Sequence, residues 1–214
     1  VETELLLKDM ETTEKRLDKS KKMSKSGNKE AIAEAAVIGR LDAHLNEGSP
    51  ARTFEYDDQE AEIFQGLCLL TAKPVLYVTN VDEDSVADGN ALVDKVKAYA
   101  EKVGARTAII SAAIESEIAE LEDDEKAEFL EGLGLEESGL DRLSREGYAL
   151  LGLKTYFTAG EKEVRAWTIK DGMKAPQAAG VIHTDFERGF IRAEVIAYDD
   201  YVALDGESGC KAAG

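Results

Sequence analysis

The residues best suited to chemistry are Asn80-Val81-Asp82-Glu83 and, about thirty positions later, Ser111-Ala112-Ala113. Each group follows a short apolar run, Val75-Leu76-Tyr77-Val78 in the first case and Thr107-Ala108-Ile109-Ile110 in the second. Runs of that kind read as strands buried on both faces of a parallel sheet, and open parallel sheets bind ligands beyond the carboxyl ends of their strands. The Asn80 amide carries both a donor and an acceptor, so it can pair with N6 and N7 of adenine. Small residues at 111–113 let backbone N–H groups approach a flat base closely. An Asn-x-x-Glu after one strand is a weak signal. Two strand ends in this order strengthen the reading of a purine site.

GTP-binding folds place Asn-Lys-x-Asp at the first of these positions, where the Asp carboxylate accepts both N–H donors on the guanine edge. Here Val81 stands for the Lys and Glu83, one methylene longer, for the Asp. Guanine loses its double acceptor at the proper distance, which favours adenine. No Gly-x-x-x-x-Gly-Lys-[Ser/Thr] string occurs in the 214 residues, so phosphates and Mg²⁺ have no evident cradle, and the chain by itself is expected not to hydrolyse nucleotide. Two cysteines, Cys68 and Cys210, and two histidines, His44 and His183, show no metal-ligand spacing. Their scarcity suits a reducing, cytoplasmic setting, and no apolar run reaches the length of a membrane span.

With 26 basic and 44 acidic residues the net charge is −18, which argues against wholesale coating of nucleic acid. Charge is nevertheless local. Residues 15–29 hold seven cations, Lys15, Arg16, Lys19, Lys21, Lys22, Lys25 and Lys29, against Asp18 alone; residues 117–137 hold ten acids against Lys126. The more common fate of either block is a solvated helix face.

The elements that must position these groups follow from periodicity. Leu6, Met10, Thr13 and Leu17 form a helical seam, Lys25-Ser26-Gly27-Asn28 a turn, and Ile32, Ala35, Ile38, Leu41 and Leu45 a returning seam, which together predict a helical hairpin with the cations near its tip. A third helix is expected over about 57–70. The strand at 75–78, a helix carrying Leu92 to Val103 and the strand at 107–110 read as a βαβ unit that needs further strands beside it. Acid-rich helices are expected at 115–133 and, behind a Ser138…Asp141 cap, through Leu151. Beyond Gly152, strands at 154–158 and 163–169, a helix within 186–195 and a strand at 201–204 suggest a small β-grasp module.

These residues resemble the Obg-like ATPases of the YchF type. The resemblance runs from Val1 to Gly214 and is carried most specifically by Leu153 to Gly160, Glu163 to Ile169, Ala175 to Gly180 and Ile182 to Ala193. It implies an α/β plus α+β protein: part of a P-loop G domain with a parallel sheet, an inserted helical coiled-coil hairpin, and a β-grasp TGS domain. In this sequence those parts would be 1–71 (coiled-coil insertion), 72–152 (the C-terminal part of the G domain) and 153–214 (TGS, truncated). The resemblance further implies nucleotide contacts from Asn80, Val81, Glu83, Ser111, Ala112 and Ala113, with ATP preferred and GTP the alternative, and Mg²⁺ bound by the intact protein only. Catalytic residues are expected outside this chain, which would be the larger C-terminal part of its protein. The implied partner is the ribosome or ribosomal RNA, reached through the cations of 15–29 and through Lys154, Arg165, Arg188 and Arg192, with no membrane involved. An RNA- or ribosome-binding adaptor without catalysis is the competing expectation.

Overall fold

A computed structural model describes residues 1–160 and 162–214. They form two compact units, Val1–Leu150 and Leu151–Gly214.

The first unit opens with α1 (Glu2–Ser24), a turn, and α2 (Lys29–Asn46). Glu2 and Glu4 at the start of α1 and Lys21 and Lys22 at its end complement the helix dipole. Gly27 takes φ +78°, a left-handed turn that suits glycine, and the Asn28 side chain accepts the Ala31 N–H to cap α2. The helices run antiparallel: Thr13 reaches Asp42, and Arg16 and Ser20 both reach Glu34. Leu17, Ile38, Leu41 and Leu45 make the buried seam, continued by Ala51, Phe64, Leu67 and Leu69, with Leu6, Met10 and Ala35 against it. Ile32 departs from the expected seam. It is 50% exposed while its neighbour Ala31 is buried, because two helices alone bury one narrow stripe near a turn.

The third helix, α3 (Ala61–Gly66), is shorter than the expected 57–70. Asp57 Oδ1 accepts the N–H groups of Gln59 and Glu60, a local turn that competes with helix, and Cys68 at φ +50° stops the far end. The chain then passes Asp9, which is only 2% exposed. Its carboxylate accepts Leu70 N–H at 2.7 Å, Thr71 N–H at 2.7 Å and Thr71 Oγ at 2.6 Å. Thr71 Oγ in turn accepts the Ala51 N–H.

Next come β1 (Leu76–Asn80), α4 (Ala91–Lys102) and β2 (Arg106–Ile110), the expected βαβ unit. The strands are parallel, in register from Leu76 opposite Arg106 to Asn80 opposite Ile110. Asn90 caps α4 by accepting from Leu92 and Val93, and Gly104 at φ +67° ends it. Contrary to the sequence expectation, β1 is not buried on both faces. Val78 is 42% exposed, since the sheet holds two strands and buries β1 only in part. Beyond β2 lie α5 (Ala112–Glu120), α6 (Asp123–Gly132) and α7 (Gly139–Leu150), the first two gathered around Val86, Ile114, Ile118 and Leu135. Ser138 and Asp141 form the expected cap of α7, and Glu115 of α5 accepts the Gly139 and Leu140 N–H groups as well.

The second unit holds the antiparallel pair β3 (Leu153–Ala159) and β4 (Val164–Lys170), then α8 (Ala175–Ile182), α9 (Thr184–Arg188), α10 (Tyr198–Ala203) and α11 (Glu207–Ala213). Tyr156, Thr158, Trp167 and Ile169 share one half-buried face; Tyr156 Oη donates to the Ala178 carbonyl of α8. Phe157, on the other face, is 55% exposed. Two expectations fail here. Residues 201–203 are helical and Leu204 is a turn, rather than a strand, because Asp199 and Asp200 occupy the first turn of α10 and stabilise its positive end. The helix expected within 186–195 is the five-residue α9, which Gly189 ends.

Candidate nucleotide-base site and basic segments

The parallel register brings Asn80 and Ile110 to the same end of the sheet, and the chains that leave them are joined by two hydrogen bonds. Val81 N–H donates to the Ile110 carbonyl at 2.9 Å. Ala112 N–H donates to Asn80 Oδ1, also at 2.9 Å, across 32 positions of sequence. Asn80 and Glu83 are exposed, Glu83 beginning a single turn, Glu83–Ser85. Val81 packs its side chain against the Val86–Ile114 cluster instead of reaching solvent. Ser111 is 0% exposed; it precedes α5 but its hydroxyl does not cap the helix and has no hydrogen-bond partner among the described atoms. Ala112 and Ala113 face solvent at the start of α5. Asn80, Ala112 and Ala113 therefore stand at one open edge with Glu83 exposed nearby in sequence, whereas Val81 and Ser111 shape that edge from below. With one Oδ1 lone pair engaged by Ala112, Asn80 keeps its second lone pair and its two amide donors for a ligand.

The cations of the first unit fall into two states. Lys15 pairs with Glu11, and Arg16 pairs with Glu34 at 2.5 Å. Hydrogen bonds from Lys15 and Lys8 pull the Glu11 carboxyl down to about 2. Burial pushes the Glu34 carboxyl up, but hydrogen bonds from Ser20 and Arg16 outweigh it and leave the group below its ordinary value. Lys15, Arg16 and Lys19 line a cavity of about 390 Å³ together with Thr12, Gly66 and Leu67. Lys21, Lys22, Lys25 and Lys29 are exposed around the turn. In the second unit Lys154 is paired with Asp171 at 2.8 Å, and the Arg165 guanidinium lies 4.4 Å over the Trp167 ring. Arg188 and Arg192 are exposed.

Both histidines serve local structure: His44 Nε2 contacts Thr53 Oγ1, and His183 Nδ1 accepts the Asp185 N–H. Among the described residues no group of three or more His, Cys, Asp or Glu is placed to hold a metal ion. No helix among them is long and apolar enough to cross a membrane. Sequence reasoning missed Asp9 and also Glu2, whose carboxylate accepts from Tyr77 Oη, Tyr99 Oη and Arg52. Neither has a spacing signal, since their partners are distant in sequence.

A family profile named YchF-GTPase_C and described as "Protein of unknown function (DUF933)" matches residues 153–214. The ribosome-binding ATPase YchF of Bacillus subtilis is 52% identical over 216 residues, covering 100% of this chain and 59% of that protein. By sequence the chain is similar over its whole length to proteins of the YchF type. The Obg-like ATPase 1 of Rattus norvegicus is 39% identical, again over 100% of this chain and 55% of the relative. A solved structure described as the Schizosaccharomyces pombe YchF GTPase superposes with a TM-score of 0.82 at 38% identity, over all of this chain and 58% of that one. The chain thus spans somewhat over half the length of the relatives it matches. Their names divide between ATPase and GTPase, which makes base choice a question for the site itself.

Proposed function

We propose that this chain carries the base-recognition half of a YchF-type ATPase that works on the ribosome, with ATP preferred over GTP. The observation that bears most weight is the Asn80–Ala112 hydrogen bond, which joins the two strand-end loops into one edge at the side of a parallel sheet where ligands bind. In this reading Asn80 contacts the purine, Ala112 and Ala113 let it approach, and Glu83 replaces the carboxylate that would select guanine. Phosphate binding, Mg²⁺ and hydrolysis belong to parts of the protein outside these 214 residues. Residues 1–71 act as a coiled-coil insertion, 72–152 as the C-terminal part of the G domain, and 153–214 as a TGS module. The name ribosome-binding ATPase borne by relatives supports a cytoplasmic site of action on ribosomal RNA.

The test is competition binding of ATP and GTP to the intact protein. Replacing Val81 by Lys and Glu83 by Asp together is expected to move preference toward GTP by about tenfold or more, the scale of one good polar contact. Unchanged discrimination would remove Glu83 from base selection. The exposure of Lys21, Lys22, Lys25 and Lys29 favours a second reading, an adaptor that binds RNA without nucleotide. An intact protein that sediments with ribosomes yet binds neither nucleotide would establish that reading instead.

A further inference from the structure

We propose that Glu115 is a positioning residue for nucleotide: it fastens the start of α5 to the start of α7, so that binding at the α5 edge and ordering of the α7 N-terminus are linked. The proposal rests on the nucleotide reading above and adds to it a residue that touches no nucleotide. Ala112 and Ala113 open α5, a helix of nine residues, and Glu115 stands about one turn beyond Ala112 on the same element. Its carboxylate reaches out of α5 and accepts the Gly139 N–H at 2.7 Å and the Leu140 N–H at 3.3 Å. These are the first two N–H groups of α7, which a helix leaves without internal partners, and its positive end favours a carboxylate. α7 also has a cap of its own, since Ser138 Oγ accepts the Asp141 N–H and donates to the Asp141 carboxylate. The bonds from Glu115 therefore join one helix to another. The backbone leaves room for them: a Cβ at Gly139 would stand 2.7 Å from Glu115 Oε1 and 3.1 Å from Ile110 Cγ2. Gly139 is not among the glycines of positive φ, so close approach, not a turn, calls for glycine there. The far end of α7 is tied to the sheet by Glu146, which meets Arg106 at the start of β2 at 2.9 Å. The start of α5 is thus held at two points, from β1 by Asn80 on the Ala112 N–H and from α7 by Glu115. Binding linkage is reciprocal, so a latch that tightens the edge for nucleotide is itself tightened by nucleotide.

Amide hydrogen exchange and ATP titration of the intact protein test this together. ATP should slow exchange at Gly139 and Leu140 in the wild type. Glu115→Ala should abolish that slowing and weaken ATP binding by about tenfold. A group that only capped α7 would leave the ATP-induced slowing in place. Gly139→Ala reaches the same contact from the other side with Glu115 intact. Its methyl group displaces the carboxylate, while alanine, the better helix former, preserves α7, so ATP affinity should fall by a similar factor. Glu115→Gln keeps one acceptor oxygen and should lose less than Glu115→Ala. Unchanged ATP affinity in Glu115→Ala or in Gly139→Ala overturns the proposal. Slowing at Gly139 and Leu140 that survives in Glu115→Ala, or that is absent from the wild type with ATP bound, overturns it as well. A wild type that binds no ATP overturns the nucleotide reading and this inference with it. A wild type that binds ATP beside variants of unmoved affinity overturns the inference alone.

Discussion

Asp9 is the residue on which the base of the helical hairpin turns. A carboxylate this deeply buried is tolerated only when hydrogen bonds replace its water, and here three donors from Leu70 and Thr71 do so. They fix the chain just before it enters β1, so one side chain of α1 sets where the sheet begins. Asp9→Ala leaves two backbone N–H groups and one hydroxyl without their acceptor and should destabilise the first unit by about 3 kcal/mol. Urea unfolding followed by far-ultraviolet circular dichroism measures this, since the single tryptophan, Trp167, reports only on the second unit. Asp9→Asn keeps an acceptor oxygen and should cost less. A loss under about 1 kcal/mol for alanine, the worth of an ordinary exposed hydrogen bond, would show that Asp9 does not fasten the junction.

At the scale of elements, the α1–α2 hairpin is held by an apolar seam and by a polar cluster in which Glu34 meets Ser20 and Arg16. The Glu34 carboxyl is lowered from its ordinary 4.5 although burial acts against this, so the folded state binds its proton more weakly than the unfolded state does. The resulting stability is present above pH 4.5 and is lost as pH falls through the lowered value. Thermal unfolding between about pH 6 and pH 3 should therefore show a steeper acid loss in wild type than in Glu34→Gln. Identical slopes would mean that the cluster adds nothing. Glu11, lowered to about 2 yet exposed, makes a contribution that salt should screen away. Much of this hairpin was legible beforehand, because the spacing of Leu17, Ile38, Leu41 and Leu45, the Gly27 turn and the Asn28 cap are local signals. The βαβ unit was legible for the same reason. Residues 201–203 are helix against the sequence expectation because a four-residue apolar run has no period of its own, and the acids preceding it favour helix. Asp9, Glu2 and the Asn80–Ala112 bond were invisible, since each joins positions that only the folded backbone brings together.

For the whole molecule the proposed ribosomal partner raises the question of how a chain of net charge −18 can approach a polyanion. Association with RNA is driven by release of counterions from phosphates, and each cation that touches one adds about one unit to the slope of log affinity against log salt. What counts is the number of cations free to make that contact. Lys15 and Arg16 already hold Glu11 and Glu34, and Lys154 holds Asp171. Lys21, Lys22 and Lys25 are exposed at the turn. Reversing these three to Glu in the intact protein should weaken co-sedimentation with ribosomes and reduce the salt slope by about three. Reversing Lys154 should reduce it by less, because its partner Asp171 already neutralises it. A slope unchanged by the triple reversal would make the tip an ordinary solvated turn and would leave Arg165, Arg188 and Arg192 of the second unit as the cations to test for the proposed RNA contact.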